Sequence, residues 1–168
     1  MTPAAQQEMF KTVLEAFRSG NVSAAEDALL GQSRTIKKQV WLGVAATLAS
    51  ANDYLGQLKA RELAFKGEVL SREDGLKFAD MHIAFGQYDR AQSYVDELFT
   101  ENQSDPELAM VGADLCRWRG DMDQAKDLMV GAYNTHPQNP HIMQALLDIR
   151  KGEDPSLVTA AKDYVDAT

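Results

Sequence analysis

The segment Gly86-Gln-Tyr-Asp-Arg-Ala91 is answered by Gly120-Asp-Met-Asp-Gln-Ala125, and the two glycines and the two alanines each lie 34 residues apart. A chain that repeats itself at such a period builds its fold from one supersecondary unit used several times. Helix-start signals carry the same period. Asp105-Pro106 and Asn139-Pro140 each place a capping side chain before a proline at the first helical position, where the missing N–H costs nothing. Ser71 opens Ser-Arg-Glu-Asp, a capping-box pattern with Asp74 at its fourth position. Thr35 precedes an apolar-periodic run, and Thr2-Pro3 opens the chain. The predicted starts are therefore Thr2, Thr35, Ser71, Asp105 and Asn139, with gaps of 33, 36, 34 and 34.

Each predicted helix then meets a stop. Gly20, Gly86, Gly120 and Gly152 suit a left-handed C-terminal cap, and Asn52 takes that place in the second unit. New helices follow at once: Ser23 with Glu26 and Asp121 with Gln124 read as capping boxes, and Asp154-Pro155 repeats the proline start. No segment has strand alternation. The expectation is ten helices in five antiparallel pairs, units about 2–34, 35–70, 71–104, 105–138 and 139–168, in a single helical-repeat domain whose last unit is a cap.

Small residues mark where two backbones approach within a pair. Ala25, Ala91 and Ala125 each come five residues after a glycine, and Leu29, Val95 and Met129 follow four residues later. This spacing buries one stripe of the second helix against the first. A single pair cannot bury its apolar face alone, so the pairs must stack.

The stretch Gly120 to Pro140 resembles the tetratricopeptide repeat. Gly120, Ala125, Met129, Ala132 and Pro137 match that family's glycine, alanine, bulky residue, alanine and proline in register. The preceding unit matches through Gly86, Ala91 and Val95, with Leu98 for the second alanine and Gln103 for the proline. Leu42-Gly43 stands at the family's Leu-Gly pair, although Gln57 occupies an alanine position; the first unit keeps Gly20, Ala25 and Leu29. In the last unit Gly152 arrives early. The resemblance implies an all-α fold, a right-handed superhelical stack of about five helix pairs.

The resemblance also implies that first helices line the concave face and grip ligands there. Asp80, Asp114 and Asp148 recur at 34-residue intervals on those helices. Around them, one turn up or down, lie Glu73, Leu76 and Ile83, then Glu107, Met110 and Arg117, then His141 and Gln144. The set reads as an acidic ladder with apolar rungs, suited to a basic, partly apolar segment; three aspartates that merely keep a surface wet are the plain alternative. Relatives that bind acidic chaperone tails carry Lys and Asn at such positions, so recurring Asp argues against a carboxylate-terminal ligand. Trp118, between Arg117 and Arg119, is either an exposed aromatic anchor or a plug between neighbouring pairs. Trp41 reads as core and His82 as a core-edge residue. His136 and His141 flank a turn; two imidazoles hold a transition metal only with a third ligand, so turn and groove roles are expected.

Charge is uneven. Residues 1–70 carry 8 Lys/Arg against 7 Asp/Glu (+1), and residues 71–168 carry 9 against 18 (−9), for −8 overall. Such a surface disfavours nucleic acid and anionic membranes. No apolar run approaches the ~18 residues of a membrane helix, and the amino terminus lacks a signal-peptide pattern, which points to the cytoplasm. Cys116 is the single cysteine, with no internal disulfide to make. Phosphate-binding glycine loops, HExxH and nucleophile elbows are absent. The expected role is a non-enzymatic scaffold or adaptor without cofactor or metal, binding a basic or amphipathic peptide or helix. Copies of the chain would associate, if at all, through an end unit. Two alternatives stay open. Asn139–Tyr164 is loosely similar to the segment joining repeats to the catalytic domain in repeat-containing sulfotransferases, which would make the chain the docking half of an enzyme. A small acidic repeat protein is also the profile of a bacterial secretion chaperone.

Overall fold

The computed structural model describes residues 1–102 and 104–150, the Arg150 side chain excepted. Gln103, Gly152 and the Asp154-Pro155 helix start expected above lie outside the described residues. The chain divides into two compact units, Met1–Leu70 and a second beginning at Ser71. The boundary falls at the start of the third expected repeat. Every regular element among the described residues is helical.

The first unit contains α1 (Pro3–Arg18), α2 (Val22–Asp27), α3 (Arg34–Ser50) and α4 (Tyr54–Ala64). α1 packs on α2, α3 on α4, and α1 on α3. The second contains α5 (Arg72–Ala84), α6 (Tyr88–Glu101), α7 (Pro106–Trp118), α8 (Met122–Thr135) and α9 (Pro140–Arg150). There α5 pairs with α6 and α7 with α8, and each following first helix packs on the second helix before it, α7 on α6 and α9 on α8.

Stops and caps explain the pairing. Gly20, Gly86 and Gly120 have φ of 81°, 68° and 83°, and Asn52 takes φ 61° in the equivalent place. The next residue caps the following helix: Asn21, Asp53 and Asp121 accept from the N–H three residues on. Gln87 holds the same position without a capping bond. Two expected starts shift. Asn21, not Ser23, caps α2, because among the described residues the N-cap of each second helix follows directly on the left-handed residue. Ser33, not Thr35, caps α3: Gly31 at φ 77° turns the chain after the short α2, and Ser33 is the extended residue that follows. The first-helix caps are then Thr2, Ser33, Ser71, Asp105 and Asn139, with gaps of 31, 38, 34 and 34.

The repeated small residues are where the register puts them. Ala25, Ala91 and Ala125 are each 0% exposed, and Leu29, Val95 and Met129 are buried behind them. Trp41 is core, edge-on to Phe17 at 5.5 Å. Cys116 is buried, and burial pushes its thiol pKa up.

Asp105 is the most heavily used cap. It accepts from Glu107 N at 3.0 Å and Leu108 N at 3.3 Å, and it also takes Arg72, which reaches on to Glu107. The Arg72 hydrogen bond holds the Asp105 carboxyl below its ordinary range. A carboxyl depressed on folding stabilises above its unfolded pKa and loses that contribution as pH falls through the folded one. Asp105→Ala is therefore expected to cost about 1–2 kcal/mol at pH 7, with a smaller deficit at pH 3. Urea melts of both proteins at the two pH values check this; an equal deficit at both would remove the ionised cap from the account.

Candidate functional site

The first helices of the second unit carry the three recurring aspartates. Asp80 on α5, Asp114 on α7 and Asp148 on α9 are all exposed. Glu73, Glu107, Arg117, His141 and Gln144 are exposed as well, and Ile83 and Met110 are half-buried. Leu76 departs from the expectation. It is 9% exposed and packs with Leu98 and Leu108 in the core, so it offers no rung to a ligand. The cause lies one residue earlier. Gly75 has no Cβ, and one built there would stand 2.6 Å from Leu98 Cδ1, so α6 comes down onto α5 and covers this turn.

Several ladder acids are already engaged. Glu73 pairs with Lys77 at 3.2 Å and Asp114 with Arg117 at 3.4 Å, each within one helix, while Arg72 takes Glu107. Asp148 accepts from Gln144 Nε2 at 3.1 Å. Asp80 has no cationic partner among the described residues. Its pKa is raised, first by burial and then by the Glu107 charge. The carboxylate at the centre of the α5 face thus sits in a place that disfavours its own charge. A carboxyl raised on folding costs stability above its unfolded pKa, and the cost fades as pH falls below it. Asp80→Asn is expected to raise the melting temperature modestly at pH 7 and to leave it near wild type at pH 3. A lower melting temperature at pH 7 would mean that Asp80 is held by a favourable contact instead.

Trp118 resolves as an exposed aromatic. It is 65% exposed and stacks on Tyr88 with centroids 5.9 Å apart and planes 9° apart. The α7 C-terminus thereby leans on the first turn of α6. Tyr88 was not singled out by sequence reasoning, yet Tyr88 and Met122 both open second helices and lie 34 residues apart. His82 is fully buried, with Nδ1 2.7 Å from Gln87 Oε1 and its ring stacked on Tyr94. The Gln87 amide is committed to this histidine, which explains why it does not cap α6. His136 Nδ1 lies 2.9 Å from Thr135 Oγ1. Among the described residues no group of three or more His, Cys, Asp or Glu side chains could hold a metal ion.

A second concavity was not foreseen. A cleft of about 680 Å³ lies among α6, α7 and α8, with Phe99, Ala109, Leu128 and Ala132 as its apolar lining and Asp96 and Asp127 at hand. The available signal is Gly131, whose missing side chain leaves open space on α8. Among the described residues no helix is long and apolar enough to cross a membrane.

No protein-family model and no curated protein matches the sequence. Solved structures do match in fold. MamA AMB-1 aligns with a TM-score of 0.63 at 11% identity, over 99% of this chain and 92% of that one. MamA residues 41 to the end from Desulfovibrio magneticus RS-1 align with a TM-score of 0.59 at 13% identity, over 97% and 92%. The Pseudomonas aeruginosa PilF structure aligns with a TM-score of 0.52 at 16% identity, over 95% of this chain and 74% of that one. The fold is the tetratricopeptide-type helical repeat that the sequence motifs led us to expect.

Proposed function

We propose that the chain is a protein-binding module and that the first-helix face of its second unit receives a basic, amphipathic segment of a partner. Asp80 carries this reading: it is an exposed carboxylate with no cationic partner of its own among the described residues, its ionised form disfavoured by burial and by Glu107. A lysine or arginine brought by a partner relieves both. Ile83 and Met110, half-buried beside the acids, supply apolar area that a ligand covers, at about 25 cal/mol per Å². Each exposed ion pair adds at most about 1 kcal/mol, so charge sets encounter rate and partner sign more than affinity. The module acts by binding, with no turnover of its own.

The test replaces Asp80, Asp114 and Asp148 together by Asn, which keeps shape and removes charge. Partners captured from the native cell are compared between the two proteins. The expected result is slower association and a flatter salt dependence with the helical melt preserved. Unchanged association and salt dependence would reduce the ladder to a wetted surface.

A further inference from the structure

The first unit holds a cationic cleft that the second-unit ladder does not explain. It has a volume of about 240 Å³ and is lined by Arg34, Lys37, Lys38, Lys66 and Glu26, with Trp41 among its apolar walls. Arg34, Lys37, Lys38 and Trp41 follow the i, i+3, i+4, i+7 spacing of one α3 face. Besides α3, the cleft is bordered by α2 and the end of α4, and all its lining belongs to the first unit, whereas the acidic ladder is carried by α5, α7 and α9 of the second.

A carboxylate already sits beside these cations. Glu68 Oε2 accepts from Lys38 Nζ at 2.7 Å, and Glu68 Oε1 lies 3.4 Å from Arg34 Nε. Lys38 is further held over the Phe65 ring at 4.1 Å. The Lys38 hydrogen bond holds the Glu68 pKa below its ordinary value. Glu68 is no part of a helix. It follows the turn made by Gly67 at φ 75°, two residues before the unit boundary. Lys66 pairs with Glu26 at 3.1 Å. Lys37 is half-buried in the same cleft and has no acidic partner among the described residues. Two of the four cations, Arg34 and Lys38, thus share Glu68, Lys66 takes Glu26, and Lys37 is left over.

We propose that this cleft is a carboxylate-binding site for an acidic segment of a partner protein, and that Glu68, held by the lining cations Arg34 and Lys38, is its internal stand-in. An incoming Asp or Glu side chain meets Lys37 directly and competes with Glu68 for Arg34 and Lys38. Competition ties ligand binding to the segment that joins the two units, because Glu68 anchors that segment to α3. The ligand is opposite in charge to the one proposed for the second unit, so the two sites take different segments.

The probe is tetraglutamate, titrated at low salt into the Trp118→Phe protein, where Trp41 is the sole tryptophan and reports from the cleft wall. Saturable change in Trp41 emission is expected. Lys37→Gln should weaken it about tenfold, and Glu68→Gln should tighten it several-fold by removing the competitor. Lys37 has no ion pair to lose, so its replacement leaves the fold intact, and circular dichroism verifies this. Absence of saturable binding in both the parent and Glu68→Gln proteins overturns the proposal. So does a Lys37→Gln protein that binds as well as its parent. Inorganic phosphate is run in parallel, and tighter binding of phosphate than of tetraglutamate overturns the carboxylate assignment. The Asp80, Asp114, Asp148 variant should bind tetraglutamate at least as well as wild type, which separates this site from the ladder.

Discussion

Phe78→Ala is expected to cost about 3–5 kcal/mol, a large share of the total stability of a domain this size. Phe78 is 1% exposed, and its ring stacks on Tyr94 with centroids 5.3 Å apart and planes 11° apart. Tyr94 stacks in turn on the buried His82, so one ring stack joins α5 to α6. Truncation removes one of the two α5 rings that flank Tyr94 and leaves a cavity that neighbours fill only in part. Phe78→Leu retains most of the volume and is expected to cost less than about 1.5 kcal/mol if the site repacks. Urea denaturation of the three proteins checks the order. A Phe78→Ala loss below about 1 kcal/mol would mean that the α5–α6 pair does not rest on this stack.

Ala125→Leu and Ala91→Leu are expected to act alike, each destabilising by about 1–3 kcal/mol through overpacking. Both alanines are 0% exposed at the point where a second helix approaches its first. Leucine has the better core transfer energy, so a purely hydrophobic account predicts a gain. The close approach decides the sign, because extra carbons must push the helices apart. Ala46 is exposed on α3, and Ala46→Leu serves as a control within about 0.5 kcal/mol. Thermal melts of the three variants test this. Two neutral buried variants would show that the 34-residue alanine register does not mark a helix contact.

The parts of the fold that were legible in the sequence are those set by local chemistry. A left-handed stop at Gly86 or Gly120 and a cap at Asp121 or Asp105 depend on a few adjacent residues. Thr35 and Ser23 misled because two good capping residues stood close together, and the preceding turn chose between them. Leu76 misled for a different reason. The repeat register assigns it to the ligand face, but Leu98, 22 residues later, descends over Gly75 and buries it. The recurrence of Asp80, Asp114 and Asp148 on exposed first-helix positions was legible because it follows the period of the fold. The cationic cleft was not, because Glu68 meets Lys38 across 30 residues and no repeat announces the contact. Trp118 stayed open in the sequence because its partner, Tyr88, is 30 residues away.

The central claim is that the first-helix face of the second unit, and not the cleft among α6, α7 and α8, receives a basic amphipathic segment. Both are acidic, so net charge does not separate them. The direct measurement is backbone amide NMR of the isotope-labelled chain titrated with a helical leucine–lysine peptide. The account predicts saturable shifts centred on Asp80, Ile83, Met110, Asp114 and Gln144, weakened by Asp80→Asn and by added salt. Shifts centred on Asp96, Asp127 and Gly131, or no saturable shifts at all, would contradict it.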